Sequence, residues 1–199
     1  MDLEPRTVVA PVDPQHLQTA ALVAARGMRD NPLHVAAIGD DPQRRVEVMR
    51  RAFETVLRFD GRSLLGAWQD DRLVGVAAYT AVDHCRPTAR QRLALAPVVA
   101  RAGRSAGKVL RWQRAWALHD PGRPHSHLGP VAVDLEYQGR GIGTRLLAAY
   151  VAMLDDTRTI GYLKTDKQAN VGFYKRSGFT VAAKANVIGV TNWFMMRET

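Results

Sequence analysis

The sequence predicts a mixed α/β fold. Short apolar runs bounded by turn residues alternate along the chain with stretches of helical periodicity. A strand pair precedes a single strand–glycine loop–helix–strand crossover over 128–165, and a second strand pair closes the chain. The 199 residues, 46% of them hydrophobic, suit one well-buried core, so one domain over 1–199 is expected, with a helical insertion at about 87–120.

Residues 6–10 read as a short strand ended by Pro11. Pro14 then stands where the first turn of a helix tolerates it, and 15–28 carries apolar residues at helical spacing. Residues 30–42 read as a loop, with Asp41 a fitting N-cap and Pro42 at N1 of the next helix. That helix, over 44–59, is strongly amphipathic. Val46, Met49, Phe53, Val56 and Leu57 form its apolar stripe, and Arg45, Glu47, Arg51 and Glu54 its polar face. Strands at 63–69 and 73–79 are joined by Asp70-Asp71, a hairpin turn without glycine. The segment 87–119 mixes Leu, Val and Trp with many Arg, and Gly103 and Gly107 interrupt it. Two helices with a break near 101–107 are therefore predicted. Beyond the glycine loop come a helix to about Leu154, a strand near 160–165 and a short helix over 170–177 closed by Gly178. Strands at 179–186 and 190–196 complete the chain.

Composition excludes several classes of function. No apolar run is long enough to span a bilayer. Residues 1–5 have neither a basic nor an apolar leader character, so no signal peptide is expected. The single cysteine, Cys85, cannot form an internal disulfide and suits a reducing cytoplasm; the sequence offers it no evident His and Asp partners. The formal charge is +9 with Arg far in excess of Lys, yet the positives are dispersed, and no zinc-finger spacing or aromatic RNA-binding motif accompanies them. A polyanionic small ligand is expected rather than nucleic acid or membrane.

The loop Gln138-Gly139-Arg140-Gly141-Ile142-Gly143-Thr144 sits between an apolar strand and a helix. Its glycines let a ligand approach the backbone, and the helix start that follows offers unpaired N–H groups to an anion. It lacks the Gly-Lys-Ser/Thr ending of a Walker A loop, and Thr144 replaces the third glycine of a dinucleotide fingerprint.

Gln138-x-x-Gly141-x-Gly143, preceded by 129–133 and Asp134-x-x-Tyr137, resembles the pyrophosphate loop of the GNAT (Gcn5-related N-acetyltransferase) superfamily. About thirty residues on, Asn170-Val171-Gly172-Phe173-Tyr174 with Gly178-Phe179 resembles the second signature of that family. The helical insertion and the closing 191–195 are also similar to the puromycin N-acetyltransferase-like branch, whose usual fifth-strand Glu is replaced here by Lys164. That replacement speaks against a cationic amine at that spot.

The resemblance implies a central, mostly antiparallel sheet of six to seven strands and acetyl-coenzyme A as co-substrate, with no metal. It implies transfer of the acetyl group to a primary amine, expected to belong to a small molecule, in a cytoplasmic monomer or homodimer. A protein or peptide acceptor, or a non-catalytic acyl-CoA-binding regulatory module, are the alternatives. Backbone groups of Val131, Ala132 and Val133 are implied to bind the pantetheine arm, as an added strand would. Gln138, Gly139, Arg140, Gly141, Ile142, Gly143 and Thr144 are implied to hold the pyrophosphate, and Phe173 and Tyr174 to belong to the cofactor site, Phe173 also reading as a core residue. Asn170 either binds the pantetheine or caps the short helix. Tyr174 is implied as the general acid that protonates the leaving thiolate. For the base, His127 and then Glu136 are candidates among the titratable residues near the strand, Asp134 and His125 included. The acceptor pocket is expected from 30–40, Trp112 and Trp116, and Trp193, although tryptophans at such spacing are also ordinary core residues. The Arg residues of the insertion either favour an acidic acceptor or merely solvate a helix face.

Overall fold

The computed structural model describes residues 6–82 and 84–199; residues 1–5, on which the expectation about a leader rested, lie outside the described residues. Among the described residues, seven strands form one sheet in the order β1-β2-β3-β4-β5-β7-β6. They are β1 Val8–Pro11, β2 Arg62–Gln69, β3 Arg72–Thr80, β4 Ser126–Val133, β5 Gly161–Thr165, β6 Thr180–Val187 and β7 Val190–Arg197. All neighbours pair antiparallel except β4 and β5, the two strands of the predicted crossover. The β2–β3 turn is made by Asp70 and Asp71, both in the left-handed region at φ 45° and 62°. Short Asp side chains tolerate that region, which is why this hairpin needs no glycine.

Among the described residues, seven α-helices cover the two faces: α1 Leu17–Gly27, α2 Pro32–Ile38, α3 Pro42–Val56, α4 Ala89–Arg101, α5 Ala106–Leu118, α6 Ile142–Thr157 and α7 Gln168–Lys175. One face packs α1, α2, α3 and Trp112 of α5 against Leu64, Val76, Ala78 and Ala132. The other packs α6 and α7 against Ala67, Val74, Ala77, Leu128 and Leu163. A run of alanines (Ala20, Ala21, Ala24 and Ala25), fully buried, brings α1 close to the sheet. Gly27 ends that approach: a Cβ there would stand 2.4 Å from the Val133 carbonyl oxygen, so only glycine fits.

Three expectations need correction. Residues 32–38 form a helix, not a loop: Pro32 starts it, and Leu33, His34, Ala37 and Ile38 are spaced to bury one face. Arg45, assigned to the polar face of α3, is only 5% exposed. Its guanidinium donates to the Arg29 carbonyl at 2.7 Å, the Gly39 carbonyl at 2.8 Å and Asp30 at 2.8 Å. It is buried because α2 turns back over α3, a tertiary event that helical periodicity does not register. Finally, α7 starts at Gln168, which places Asn170 inside its first turn and makes Lys167 the N-cap. Asn170 therefore does not cap the helix. The predicted cap at Asp41 does form, its carboxylate accepting from the N–H groups of Gln43 and Arg44.

Candidate active site

The parallel pairing of β4 and β5 covers only Ser126–Leu128 opposite Gly161–Leu163. Past that point β4 stays with β3 as far as Val133, while Lys164 and Thr165 of β5 stay with Phe194 and Trp193 of β7. The sheet therefore splits at Gly129. The Asp134 N–H donates to the Val74 carbonyl at 2.8 Å. Alternation along an antiparallel ladder then turns Ala132 toward β3 and leaves the backbone of Val131 and Val133 facing the open edge. That edge is a row of hydrogen-bonding groups without a neighbouring strand, the kind of site to which an extended amide-bearing chain adds.

At the end of this edge lies the glycine loop. Gly139 and Gly141 take φ of 79° and 73°, the left-handed turn that aims the chain into α6. No side chain caps α6 at Gly141, so the N–H groups of Ile142, Gly143 and Thr144 are free of intrahelical partners. Ile142 itself sinks its side chain into the core. Gln138 donates from Nε2 to the Val133 carbonyl at 2.9 Å, tying the loop to the strand. Arg140 donates to the Glu136 carbonyl at 3.0 Å and lies over the Tyr137 ring. Positive dipole, open amides and a nearby guanidinium fit a pyrophosphate.

The second signature folds onto the first. A Cβ at Gly143 would contact Phe173 at 3.8 Å and Val133 at 3.9 Å, so α7 stands against the loop and the open edge together. Tyr174 is 7% exposed in the α6–α7 cluster that also holds Leu128 and Leu163, the last paired residues before the split. Its hydroxyl has no hydrogen-bond partner among the described residues, and burial, with Asp166 nearby, raises its pKa and keeps it protonated. The Asn170 carboxamide, half-buried, is likewise without a protein partner among the described residues.

The candidate bases separate. Glu136 is exposed on the turn after β4 and pairs with Arg26 at 3.8 Å, at the loop end of the open edge. Asp134 is buried against Arg26 at 3.4 Å. His127 lies at the split, on the α1–α5 face, with Nε2 3.9 Å from where a side chain at Gly129 would begin. Burial, then repulsion from Lys164, Arg62 and His125, holds it well below the usual histidine range, so it is neutral.

Around His127 is a group that the sequence did not bring together. Register aligns Arg62 of β2, Thr80 of β3, His127 of β4 and Tyr162 of β5 in one row across the sheet. Arg62 donates from Nη1 to the Gly129 carbonyl at 2.8 Å, while its Nε is buried without a partner. Lys164, two residues on from Tyr162, places Nζ 4.9 Å from the Trp116 ring centre and 5.5 Å from that of Tyr162. Burial lowers Lys164 to about 8 and Arg62 to about 10. The tryptophans divide: Trp116, donating to Asn192 at 2.9 Å, walls this face, Trp112 is core, and Trp193 belongs to the opposite cluster with Tyr174. The end of β5 also anchors α2, since Asp166 accepts from the Leu33 N–H at 2.7 Å and from Asn31 at 3.3 Å. Cys85 acquires neighbours as well: His125, whose Nε2 stands 4.0 Å from Asp120, and the Thr80 hydroxyl at 3.2 Å. Cys85, Arg86, Asp120, His125 and 121–124 border a groove of about 340 Å³.

The acetyltransferase (GNAT) family profile matches residues 32–179. The chain belongs to the GNAT acetyltransferase family. Solved structures with the same fold include a histone acetyltransferase HPA2 and related acetyltransferase from Corynebacterium glutamicum ATCC 13032, 17% identical with a TM-score of 0.71, covering 96% of each chain. Another is the PaiA N-acetyltransferase of Thermoplasma acidophilum in complex with coenzyme A, 15% identical with a TM-score of 0.60, covering 98% of this chain and 99% of that one. The ribosomal-protein-S18-alanine N-acetyltransferase of Escherichia coli is 13% identical with a TM-score of 0.58, covering 97% and 94%. As a GNAT acetyltransferase the chain is an acyl-CoA-dependent N-acyltransferase, and acetyl-CoA is the family's donor. None of its described helices is long and apolar enough to cross a membrane.

Proposed function

We propose that this GNAT enzyme transfers an acetyl group from acetyl-CoA to the primary amine of a small molecule at the split between β4 and β5. The observation that carries the reading is the split itself, flanked by Tyr174 on one face and by a walled crevice on the other. Acetyl-CoA supplies a thioester whose carbonyl the amine attacks as the thiolate leaves. The open amides of Val131 and Val133 hold the pantetheine arm, and the loop from Gln138 to Thr144 holds the pyrophosphate. Asn170 and Phe173 border the same arm. Tyr174 gives its phenolic proton to the departing sulfur, a step worth typically ~10²–10⁴-fold.

A small acceptor is favoured because Trp116 of α5 stands against Lys164 beside the split and Asp166 holds α2 at the end of β5. Neutral His127 is the one candidate base standing at the split, and Glu136 is left to the loop end. The test mixes protein and acetyl-CoA with separate panels of small amines and of peptides and follows release of free thiol. Turnover of small amines, lost in Tyr174→Phe, supports the reading. Turnover of peptides alone replaces it with a protein acetyltransferase. Tight acetyl-CoA binding without transfer to any acceptor replaces it with a regulatory module.

A further inference from the structure

Arg62 and Lys164 are two half-buried cations beside the split, and no carboxylate pairs with either among the described residues. Neither forms an ion pair among the described residues, and apart from the Gly129 bond of Arg62 neither donates to a protein acceptor there. Two acidic groups act on Lys164 from a distance: Asp120, already engaged with Arg86 at 3.3 Å and close to His125, and the Cys85 thiol, which also acts on Arg62. His127 adds no counter-charge. Both side chains are half-buried, and Lys164 is faced on two sides by aromatic rings. Partly desolvated cations without a counter-ion are costly, and the cost is removed when a ligand brings the anion.

The place of these cations matters as much as their charge. Arg62 is bonded to the carbonyl of Gly129, the residue directly after the last paired one, Leu128. An anion on its free Nη2 and on Lys164 therefore lies at the mouth of the split. The forked guanidinium matches a planar carboxylate, with the ammonium as a second point of attachment. The exposed Arg residues of α4 and α5 are not part of this group, so the solvating role fits them.

We propose that the acceptor carries a carboxylate beside its reacting amine, and that Arg62 and Lys164 bind this carboxylate and so determine acceptor specificity. This rests on the acetyl-transfer reading above. The same cations disfavour a nearby ammonium, so the amine reaches the split in its neutral, nucleophilic form without a dedicated carboxylate base.

Two measurements keep the two readings apart. The first is calorimetric titration of the CoA-loaded protein with N-acetylated amino acids and ω-amino acids, each beside its carboxamide. It reports recognition without turnover. Acids are expected to bind about 10–100-fold more tightly than their carboxamides, and Lys164→Gln or Arg62→Gln to collapse that ratio. A single cooperative thermal transition and unchanged CoA binding in the variants verify their folding. Carboxamides binding as well as acids, no acid binding at all, or matched aminoalkyl phosphates outcompeting the acids overturn the proposal. The second is thiol release with the free amino acids and their amides. Turnover with equal kcat/KM for acid and amide sinks the carboxylate proposal but keeps acetyl transfer, whereas discriminating binding with no turnover of any amine does the reverse.

Discussion

The ring of Phe173 reaches within 3.8 Å of where a side chain at Gly143 would begin, and Val133 closes the other side at 3.9 Å. Two motifs thirty residues apart therefore meet over a single hydrogen atom. A methyl group there makes ordinary contact, whereas a branched side chain must displace either the aromatic ring or the open strand. Gly143→Ala is expected to retain acetyl-CoA affinity within about threefold, while Gly143→Val weakens it by about tenfold or more, read by calorimetric titration. Equal affinities in the two variants would show that the contact does not shape the donor site.

The Tyr174 hydroxyl makes no protein hydrogen bond among the described residues, so its removal leaves no partner unsatisfied. Tyr174→Phe is expected to change stability by less than about 1 kcal/mol and to lower kcat by about 10²-fold. Denaturant unfolding and steady-state thiol release measure the two effects. A large stability loss with unchanged kcat would reverse the assignment.

Lys164 is lowered by burial from 10.5 to about 8, which makes the charged form unfavourable in the folded chain. Between those values the unfolded chain binds more protons than the folded one, so the handicap is full below pH 8 and fades as pH rises through that window. Lys164→Met is therefore expected to be more stable than the parent at pH 7, by on the order of 1 kcal/mol, with the gap closing toward pH 10. Thermal unfolding at three pH values reads it. A gap that widens with pH contradicts the sign.

Arg45 joins α3 to the carbonyls of Arg29 and Gly39 and to Asp30, on either side of α2. Arg45→Met leaves the Arg29 and Gly39 carbonyls without this donor and Asp30 with Arg29 alone, and is expected to cost about 3 kcal/mol in urea unfolding. Because Asp166 ties α2 to the end of β5, next to the proposed acceptor side, KM for the acceptor should rise more than KM for acetyl-CoA. Equal rises would mean that α2 does not border the acceptor.

The order of elements, the glycine loop and the short helix of the second signature were legible because each is encoded by its own neighbours. Asp70 and Asp71 favour a tight turn, Asp41 and Pro42 start α3, and Gly139 and Gly141 permit left-handed φ. Helix α2 was missed because its seven residues are flanked by turn formers, and Arg45 because one-dimensional periodicity cannot register a helix folding back over it. Arg62 carried no local signal at all, lying in a short run between a glycine and a strand.

The sequence by itself determined the two motifs proposed for the donor side, since the glycine loop and the helix carrying Tyr174 are local and their backbone conformation follows from glycine, helix ends and hydrophobic spacing. Only the tertiary structure brought together the residues proposed for the acceptor side. Arg62, His127 and Lys164 come from β2, β4 and β5, and nothing in their own segments predicts that strand register sets them on one face at the point where β4 and β5 part. Charge burial depends on what surrounds a side chain in space, and that is settled when the sheet closes.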